Sequence, residues 1–369
     1  MGASYFLIAF LIIAITINGG FQSIIIPILD THYSSIYFIL STSSFQFCLV
    51  FGIIYLITVR KNIGLPSKKL TVFGAGLFNG LMSVCLIYAS KPTRTPVVLQ
   101  SILSGLVILP SVFLTKLWLN KKVKYNCFNS IVSILCLFVS IGISTVPLFK
   151  TWSWGGLGWI GVYIFGTFCR SAFNVLQERY FIETGDTTLK NKIINVFYIR
   201  LTHFIVVVLS FWMEYAVGYK DIKNHGPIQC IVESGEVFFT KPIFMGLLEA
   251  FVVSYILLYM FGVYLNTIST NYNMITAVAA TPANAVFFAI FPKLNPGIQY
   301  PWYIYVPSLI FAMLSIVSWI SGESSDNDKD DNHRECYCDF KGTLCYNMIG
   351  CCEKICTCNK AKGYERINN

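Results

Sequence analysis

The feature that most constrains this chain is a succession of long apolar stretches that follow one another almost without pause. A helix needs about 20 largely apolar residues to cross a bilayer, and ten such intervals can be marked: 5–29, 34–59, 69–90, 95–117, 126–147, 155–178, 192–216, 242–265, 270–292 and 301–321. None of them alternates at period two, which argues against a membrane barrel. Only 12% of the 369 residues are charged and the mean hydropathy is +0.62, whereas soluble domains carry about 25% charged residues. That density excludes a disordered chain and a nucleic-acid-binding domain, and it speaks against a soluble enzyme. The fold class expected is an all-α integral membrane protein of ten transmembrane helices. The first interval has no basic segment before it and no small-residue cleavage site after it, so it reads as a retained helix, not a signal peptide.

Charge orients such a chain. Connections after the even-numbered intervals, counted with the lysines at the interval edges (Lys69, Lys116 and Lys192) and the C-terminal tail, hold 18 of the 27 Lys and Arg residues, and the other connections hold 7. The excess of Lys and Arg marks the cytosolic side, so both termini are expected in the cytosol of a multi-pass protein. Ten spans divide into two halves of five, about 5–147 and 155–321, which must then run in opposite directions, as in the inverted repeats of secondary transporters. The fourth and ninth intervals share small and hydroxyl residues and an internal proline, Pro110 and Pro282. The spacings Gly76-x-x-x-Gly80 and Gly158-x-x-Gly161 predict close helix packing.

Four stretches carry a resemblance. They are Thr95-Pro-Val-Val-Leu-Gln-Ser101 with the basic Leu117-Trp-Leu-Asn-Lys-Lys-Val-Lys-Tyr125, then Asn174-Val-Leu-Gln-Glu178, and finally Ser269-Thr-Asn-Tyr-Asn-Met-Ile-Thr276 leading to Thr281-Pro-Ala-Asn284. With Asn18 and Gln22 in the first interval, the chain resembles the chloroquine-resistance-transporter-like family of the drug/metabolite transporter superfamily over essentially residues 5–321. The resemblance implies a carrier of small organic solutes (amino acids, peptides, thiols, cationic drugs), often moved out of acidic compartments with protons. Two departures touch the substrate: the connection 218–241 has Cys230 as its one cysteine, and Arg200 stands where a neutral polar residue is expected.

Of the charged residues inside the apolar intervals three stand out, Arg170, Arg200 and Glu249. Such groups are costly in lipid and should face protein or a water-filled cavity. At 1.5 Å per residue, Glu249 lies roughly 10 Å into the eighth span and Arg200 roughly 12 Å from the cytosolic end of the seventh. One carboxylate and two guanidiniums around a cavity would bind a zwitterion, with Glu249 as proton-coupling group and His203 as an alternative relay. The competing reading is a structural Arg–Glu pair, with Arg170 snorkelling to the interface. A solute path is expected along Asn18, Gln22, Asn79, Gln100, Ser101, Ser104, Asn174, Arg200, Glu249, Tyr255, Asn273, Thr276, Thr281 and Asn284, set against the plain alternative of interhelical hydrogen bonding. Gln100 with Ser104 shares a helix face, and positions 273, 276, 280 and 284 form a polar and small-residue stripe. Lys91 and Arg94 read as interfacial anchors or a charge filter at the mouth.

No phosphate-binding loop, H-E-x-x-H or G-x-S-x-G occurs, and the four histidines show no ligand spacing. No enzyme activity, cofactor or metal is therefore expected. Residues 322–369 form a different region, a flexible cysteine-rich cytosolic tail. Its cysteines, Cys336, Cys338, Cys345, Cys351, Cys352, Cys356 and Cys358, are lipidation candidates. A metal or redox site and an unmodified tail remain alternatives, although neither C-x-C pair has the usual zinc spacing. Tyr364 and Ile367 have the form of an adaptor-binding sorting signal for endosomes, lysosomes or a vacuole. The expected function is a secondary active transporter, with a small-molecule solute, the bilayer, protons and tail-binding adaptors as partners. A nucleotide-sugar or nucleoside carrier is the alternative within the superfamily, and a receptor or scaffold working through its tail is the alternative of another class.

Overall fold

The computed structural model describes residues 5–59, 65–91, 94–119, 127–150, 154–218, 226–267, 270, 273, 291 and 302–322. Within them the chain is helical: α1 (Tyr5–His32), α2 (Ile36–Val59), α3 (Lys69–Ala89), α4 (Val97–Gly105), α5 (Ile108–Leu119), α6 (Cys127–Lys150), α7 (Trp154–Thr184), α8 (Leu189–Leu209), α9 (Pro227–Thr240), α10 (Pro242–Asn266) and α11 (Trp302–Gly322). Among the described residues six helical segments are long and apolar enough to cross a membrane: Phe10–His32, Ile36–Val59, Lys69–Ala89, Ile102–Leu119, Leu189–Ala216 and Pro242–Asn266. Helices also occupy the intervals expected for the fifth, sixth and tenth spans. The expected ninth span, beyond Thr270 and Asn273, lies outside the described residues, as do the tail cysteines, Tyr364 and Ile367.

Polarity is arranged inside out relative to a soluble protein. Phe10, Ile13, Ile17 and Phe21 on α1, and Phe45, Leu49, Ile53 and Leu56 on α2, stand exposed at helical spacing. Gln22, Asn79, Asn174, Gln177, Asn195, Arg200 and Asn266 are buried. This is the arrangement suited to a bilayer, where lipid would solvate the first set and the second must find partners inside.

Pro110 divides the fourth interval. A proline lacks the N–H of the helical ladder and its ring strikes the carbonyl four residues back, here that of Leu106. The chain accordingly leaves α4 at Gly105 and resumes as α5 at Ile108, with the Leu109 N–H bonded three residues back to the Leu106 carbonyl at 3.1 Å. The Val107 carbonyl at the break accepts a hydrogen bond from Ser171 Oγ at 2.8 Å, tying the interruption to α7.

Packing follows small residues. A Cβ on Gly76 would come within 2.5 Å of Thr202 Cβ, and one on Gly80 within 2.6 Å of Val206 Cβ, so the two glycines let α3 lie against α8. Gly158 and Gly161 face open space, so that part of the packing expectation is corrected. Gly166 takes their place: a Cβ there would meet Leu86 of α3 at 2.8 Å. Serines join α6 and α11, Ser133 to the Ser315 carbonyl (2.8 Å) and Ser140 to the Ser308 carbonyl (2.7 Å), an antiparallel register repeated after seven residues.

Helix α9 lies within what the sequence reading treats as a plain connection. Pro227 occupies its first turn, where the missing N–H has no intrahelical role. Cys230 and Ser234 face inward, with Ser234 Oγ accepting the Ser35 N–H at 2.8 Å, while Ile228, Val232 and Phe239 are exposed. At the other end of the bundle, α7 closes on Gly185 at φ 62°, a left-handed cap natural to glycine. The Thr188 side chain then caps α8 by accepting the Asn191 N–H.

Candidate functional site

The helices enclose a central cavity of about 200 Å³. Each wall is a stripe at helical spacing. Helix α1 contributes Ile15, Gly19, Gln22 and Ile26; α3 contributes Ser83, Leu86, Ile87 and Ser90; α4 contributes Gln100 and Ser104. Helix α7 supplies Tyr163, Thr167, Arg170, Asn174 and Gln177, alternately four and three residues apart, and α10 supplies Phe251, Tyr255, Tyr259, Gly262 and Asn266. Residues so spaced share one helix face, so five helices each turn a single face to the same space. Asn273 closes the wall from beyond α10.

Arg170 is the charged residue of this lining. Tyr163 and Tyr255 line the cavity with it, and among the described residues no carboxylate pairs with it. The expectation that Arg170 snorkels to the interface is corrected: its face of α7 is the one that looks into the cavity.

Arg200 behaves in the opposite way. It is fully buried on α8 and does not line the cavity. Its guanidinium lies 3.5 Å from the Tyr259 ring centroid, 5.0 Å from that of Tyr255 and 5.3 Å from that of Phe47. Desolvated contacts of this kind contribute about 2 kcal/mol or more. Its Nη1 donates to His203 Nδ1 at 3.4 Å. Because arginine has no acceptor, this contact places the imidazole proton of a neutral His203 on Nε2. Among the described residues no ion pair joins Arg200 to Glu249; Glu249 accepts a hydrogen bond from Gln46 Nε2 at 2.7 Å and also stands outside the cavity lining. The expected ring of one carboxylate and two guanidiniums is therefore a single guanidinium, because helix azimuth points Arg200 and Glu249 elsewhere.

One wall is an amide network. Asn266 Nδ2 donates to Asn174 Oδ1 (2.8 Å) and Gln177 Oε1 (2.7 Å), and Asn273 Nδ2 donates to Asn174 Oδ1 (2.9 Å) and Asn266 Oδ1 (3.1 Å). Gln177 Nε2 reaches back to Asn195 Oδ1 at 3.0 Å. Beside it, Glu178 accepts the Thr270 N–H at 3.0 Å, and Thr270 Oγ1 donates to the Asn174 carbonyl at 3.2 Å. A Cβ on Gly262 would lie 3.4 Å from the Asn273 amide, so glycine leaves that amide its place. At the opposite end Gln100 Nε2 donates to the Ser90 and Thr95 carbonyls, both at 2.6 Å, and Ser104 Oγ shares a hydrogen bond with Tyr163 Oη at 3.2 Å.

Of the expected path residues, Gln22, Gln100, Ser104, Asn174, Tyr255 and Asn273 line the cavity. Asn18 instead joins α1 to α10, its Oδ1 accepting from Ser254 Oγ at 3.1 Å. Asn79 is fully buried in α3 with no hydrogen bond to either amide atom. The Ser101 side chain, Thr276, Thr281 and Asn284 lie outside the described residues. The sequence reading passes over Thr167 and Gln177 as lining residues; their four-and-three spacing with Tyr163, Arg170 and Asn174 is the signal that marks them.

No protein-family model matches the chain, and no curated protein matches it.

Proposed function

We propose that this chain is a secondary transporter that carries a small organic solute with a carboxylate group, bound at Arg170 in the central cavity. The observation that carries the reading is Arg170 itself, a cavity-lining guanidinium with no acidic partner among the described residues. A charge in such a place is costly unless something neutralises it, and a solute carboxylate offers the bidentate geometry that guanidinium prefers. Phe173, Phe251, Tyr255 and Tyr259 offer ring faces to the rest of the solute, and Asn174, Gln177 and Asn266 offer amide donors and acceptors.

Size narrows the class. Pockets for drug-sized ligands run from about 300 Å³ upward. An amino acid, a short peptide or a small thiol peptide suits this space better than a nucleotide sugar, whose diphosphate also calls for more than one cation.

The packing supports two inverted halves of five spans. Under that division α1 corresponds to α7, α3 to α10, and α4–α5 to the segment that begins at Thr270. The contacts of α1 with α10 and of α3 with α7 are then one contact seen twice, and α2 with α8 and α6 with α11 are contacts across the axis. The cavity is lined by the first, third and fourth members of both halves. Rocking of one half against the other would expose it alternately to either side. The reading places both termini in the cytosol and the protein in an endosomal, lysosomal or vacuolar membrane, and it assigns no catalytic step and no cofactor.

Counterflow in proteoliposomes tests the reading. Vesicles preloaded with unlabelled glutamate, alanyl-alanine or glutathione should take up the matching labelled solute in at least one case. Exchange of UDP-sugars with none of these three would replace the reading by a nucleotide-sugar carrier. Absence of all exchange from folded, inserted protein would overturn it.

A further inference from the structure

The charges around the cavity are of one sign. Nine Asp and Glu residues occur in residues 1–322; eight of them are described, and none of the eight lines the cavity. Three of these are held by neighbouring groups: Glu178 accepts the Thr270 N–H, Glu214 accepts from Tyr88 Oη and Glu249 accepts from Gln46 Nε2. Residues 268–301, which run on from α10 and include the lining residue Asn273, contain neither Asp nor Glu. Positive charge is present twice. Arg170 lines the cavity. Arg200 stands behind the wall, its guanidinium 3.5 Å from the ring centroid of Tyr259 and 5.0 Å from that of Tyr255, and both rings line the cavity.

Hydrogen bonding is biased the same way. The amide wall uses its oxygens internally: Asn174 Oδ1 accepts from both Asn266 and Asn273, Gln177 Oε1 accepts from Asn266, and Asn266 Oδ1 accepts from Asn273. A donor, by contrast, is left over. Gln22 of α1 lines the cavity and is 8% exposed, and its Nε2 has no hydrogen-bond partner. A buried amide donor without an acceptor costs free energy, and an acceptor on a bound solute would relieve that cost.

We infer that the cavity selects a monoanionic acid whose amine is acylated or absent, with Arg170 taking the carboxylate and Gln22 Nε2 donating to the acyl carbonyl. A zwitterion brings a carboxylate and an ammonium. Its carboxylate neutralises Arg170. Its ammonium then stands in an enclosed space with no acid among the described lining residues to meet it. Ring faces attract cations, but Tyr255 and Tyr259 already have the Arg200 guanidinium against them. An uncompensated charge is expensive in a site of low dielectric. A monoanion leaves the occupied cavity neutral, and acylation adds the acceptor that Gln22 lacks. Gln22 is thereby a specificity-determining residue. The inference rests on the transporter reading above and narrows its solute from carboxylates in general to those without a free ammonium.

The test sets two near-isosteres against each other on the full-length protein. Alanyl-alanine and N-isobutyryl-alanine differ in one group, an ammonium in the first and a methyl in the second. In counterflow the acyl compound should half-saturate at a concentration about tenfold lower. Gln22→Met keeps the length of the side chain and removes the donor, and should raise the half-saturation for N-isobutyryl-alanine by about tenfold. Gln22→Glu supplies a carboxylate and should shift the preference towards the dipeptide. Thermal stabilisation of the purified protein by each compound reads the same preference without transport, and decides the matter for a variant that inserts poorly into vesicles. Equal or tighter binding of alanyl-alanine by the wild type would overturn the inference and leave the transporter reading intact. An unchanged preference in Gln22→Glu, with unchanged half-saturation in Gln22→Met, would overturn the part given to Gln22. Stabilisation by N-isobutyryl-alanine without exchange of any solute would remove the transporter reading and keep the site. Neither stabilisation nor exchange would overturn both.

Discussion

Two arginines in apolar helices solve the same electrostatic problem in different ways. Arg200 sits on α8, behind the cavity, with three aromatic rings and an imidazole around its guanidinium and no exposed surface. Arg170 sits on α7 facing the cavity, with Tyr163 and Tyr255 in the same lining and, among the described residues, no acid paired with it. The first is packed by the protein's own rings and His203, although its Nε and Nη2 make no hydrogen bond. In the function proposed above, a solute carboxylate completes the second. The difference teaches that a charged residue within a span announces a cost, and that only its surroundings say whether the fold or a ligand offsets it.

The comparison breaks most sharply at Arg170. Replacing it by Gln removes a charge-assisted hydrogen bond of about 1.5–3 kcal/mol. Half-saturation for a carboxylate solute should rise about 10- to 150-fold, measured by counterflow, with no fall in the thermal midpoint. Arg200→Ala should do the reverse. It empties a packed site, costs about 2–5 kcal/mol as large-to-small core changes do, and leaves the half-saturation of the surviving folded protein near the wild-type value. Arg200→Met should recover much of the midpoint, because a flexible thioether fills space and packs on rings.

Smaller effects sharpen the same contrast between the α3–α8 scaffold and the cavity. Gly80→Leu drives a side chain into Val206 and should lower the thermal midpoint by the equivalent of about 1–3 kcal/mol, with solute preference unchanged. Glu249→Gln should leave gradient-driven uptake as it was, since Gln46 holds that side chain away from the cavity. The smallest effect belongs to the α7–α8 turn outside the bundle. The Thr188 N–H, 2.8 Å from Asp186 Oδ1, holds that carboxyl below its ordinary range. A depressed value means that the contribution is present at neutral pH and is lost as pH falls below the usual carboxylate range. The protection factors of the Asn191 and Lys192 amides, corrected for the intrinsic slowing of exchange in acid, should therefore fall at acid pH in the wild type and show no such acid step in Asp186→Asn.

Much of the helix order was legible in the sequence because apolar length is a one-dimensional property. Pro110 and the Gly76/Gly80 pair were legible for a related reason: each acts on its own helix or its nearest face. Azimuth was not legible. Arg200 and Glu249 could be placed in depth by rise per residue, but nothing in a single span says which way they point. Thr167 and Gln177 could have been found by following a stripe, 163–167–170–174–177 on α7. Arg170 reads as a cavity guanidinium set against an interfacial alternative, because it stands in the half of its interval expected nearer the cytosol. Helix α9 was hidden by its mixed polarity, with only Pro227 to mark its start. The unpartnered amide of Asn79 has no account in the structure.

The most direct measurement of the central claim compares an acid with its uncharged twin. Labelled alanyl-alanine counterflow, or that of whichever free acid is exchanged, would be competed by the unlabelled acid and by its C-terminal amide, in wild-type protein and in Arg170→Gln. The account predicts that the acid competes strongly and the amide weakly in the wild type, and that the substitution erases the difference. Equal competition by acid and amide in the wild type would contradict it.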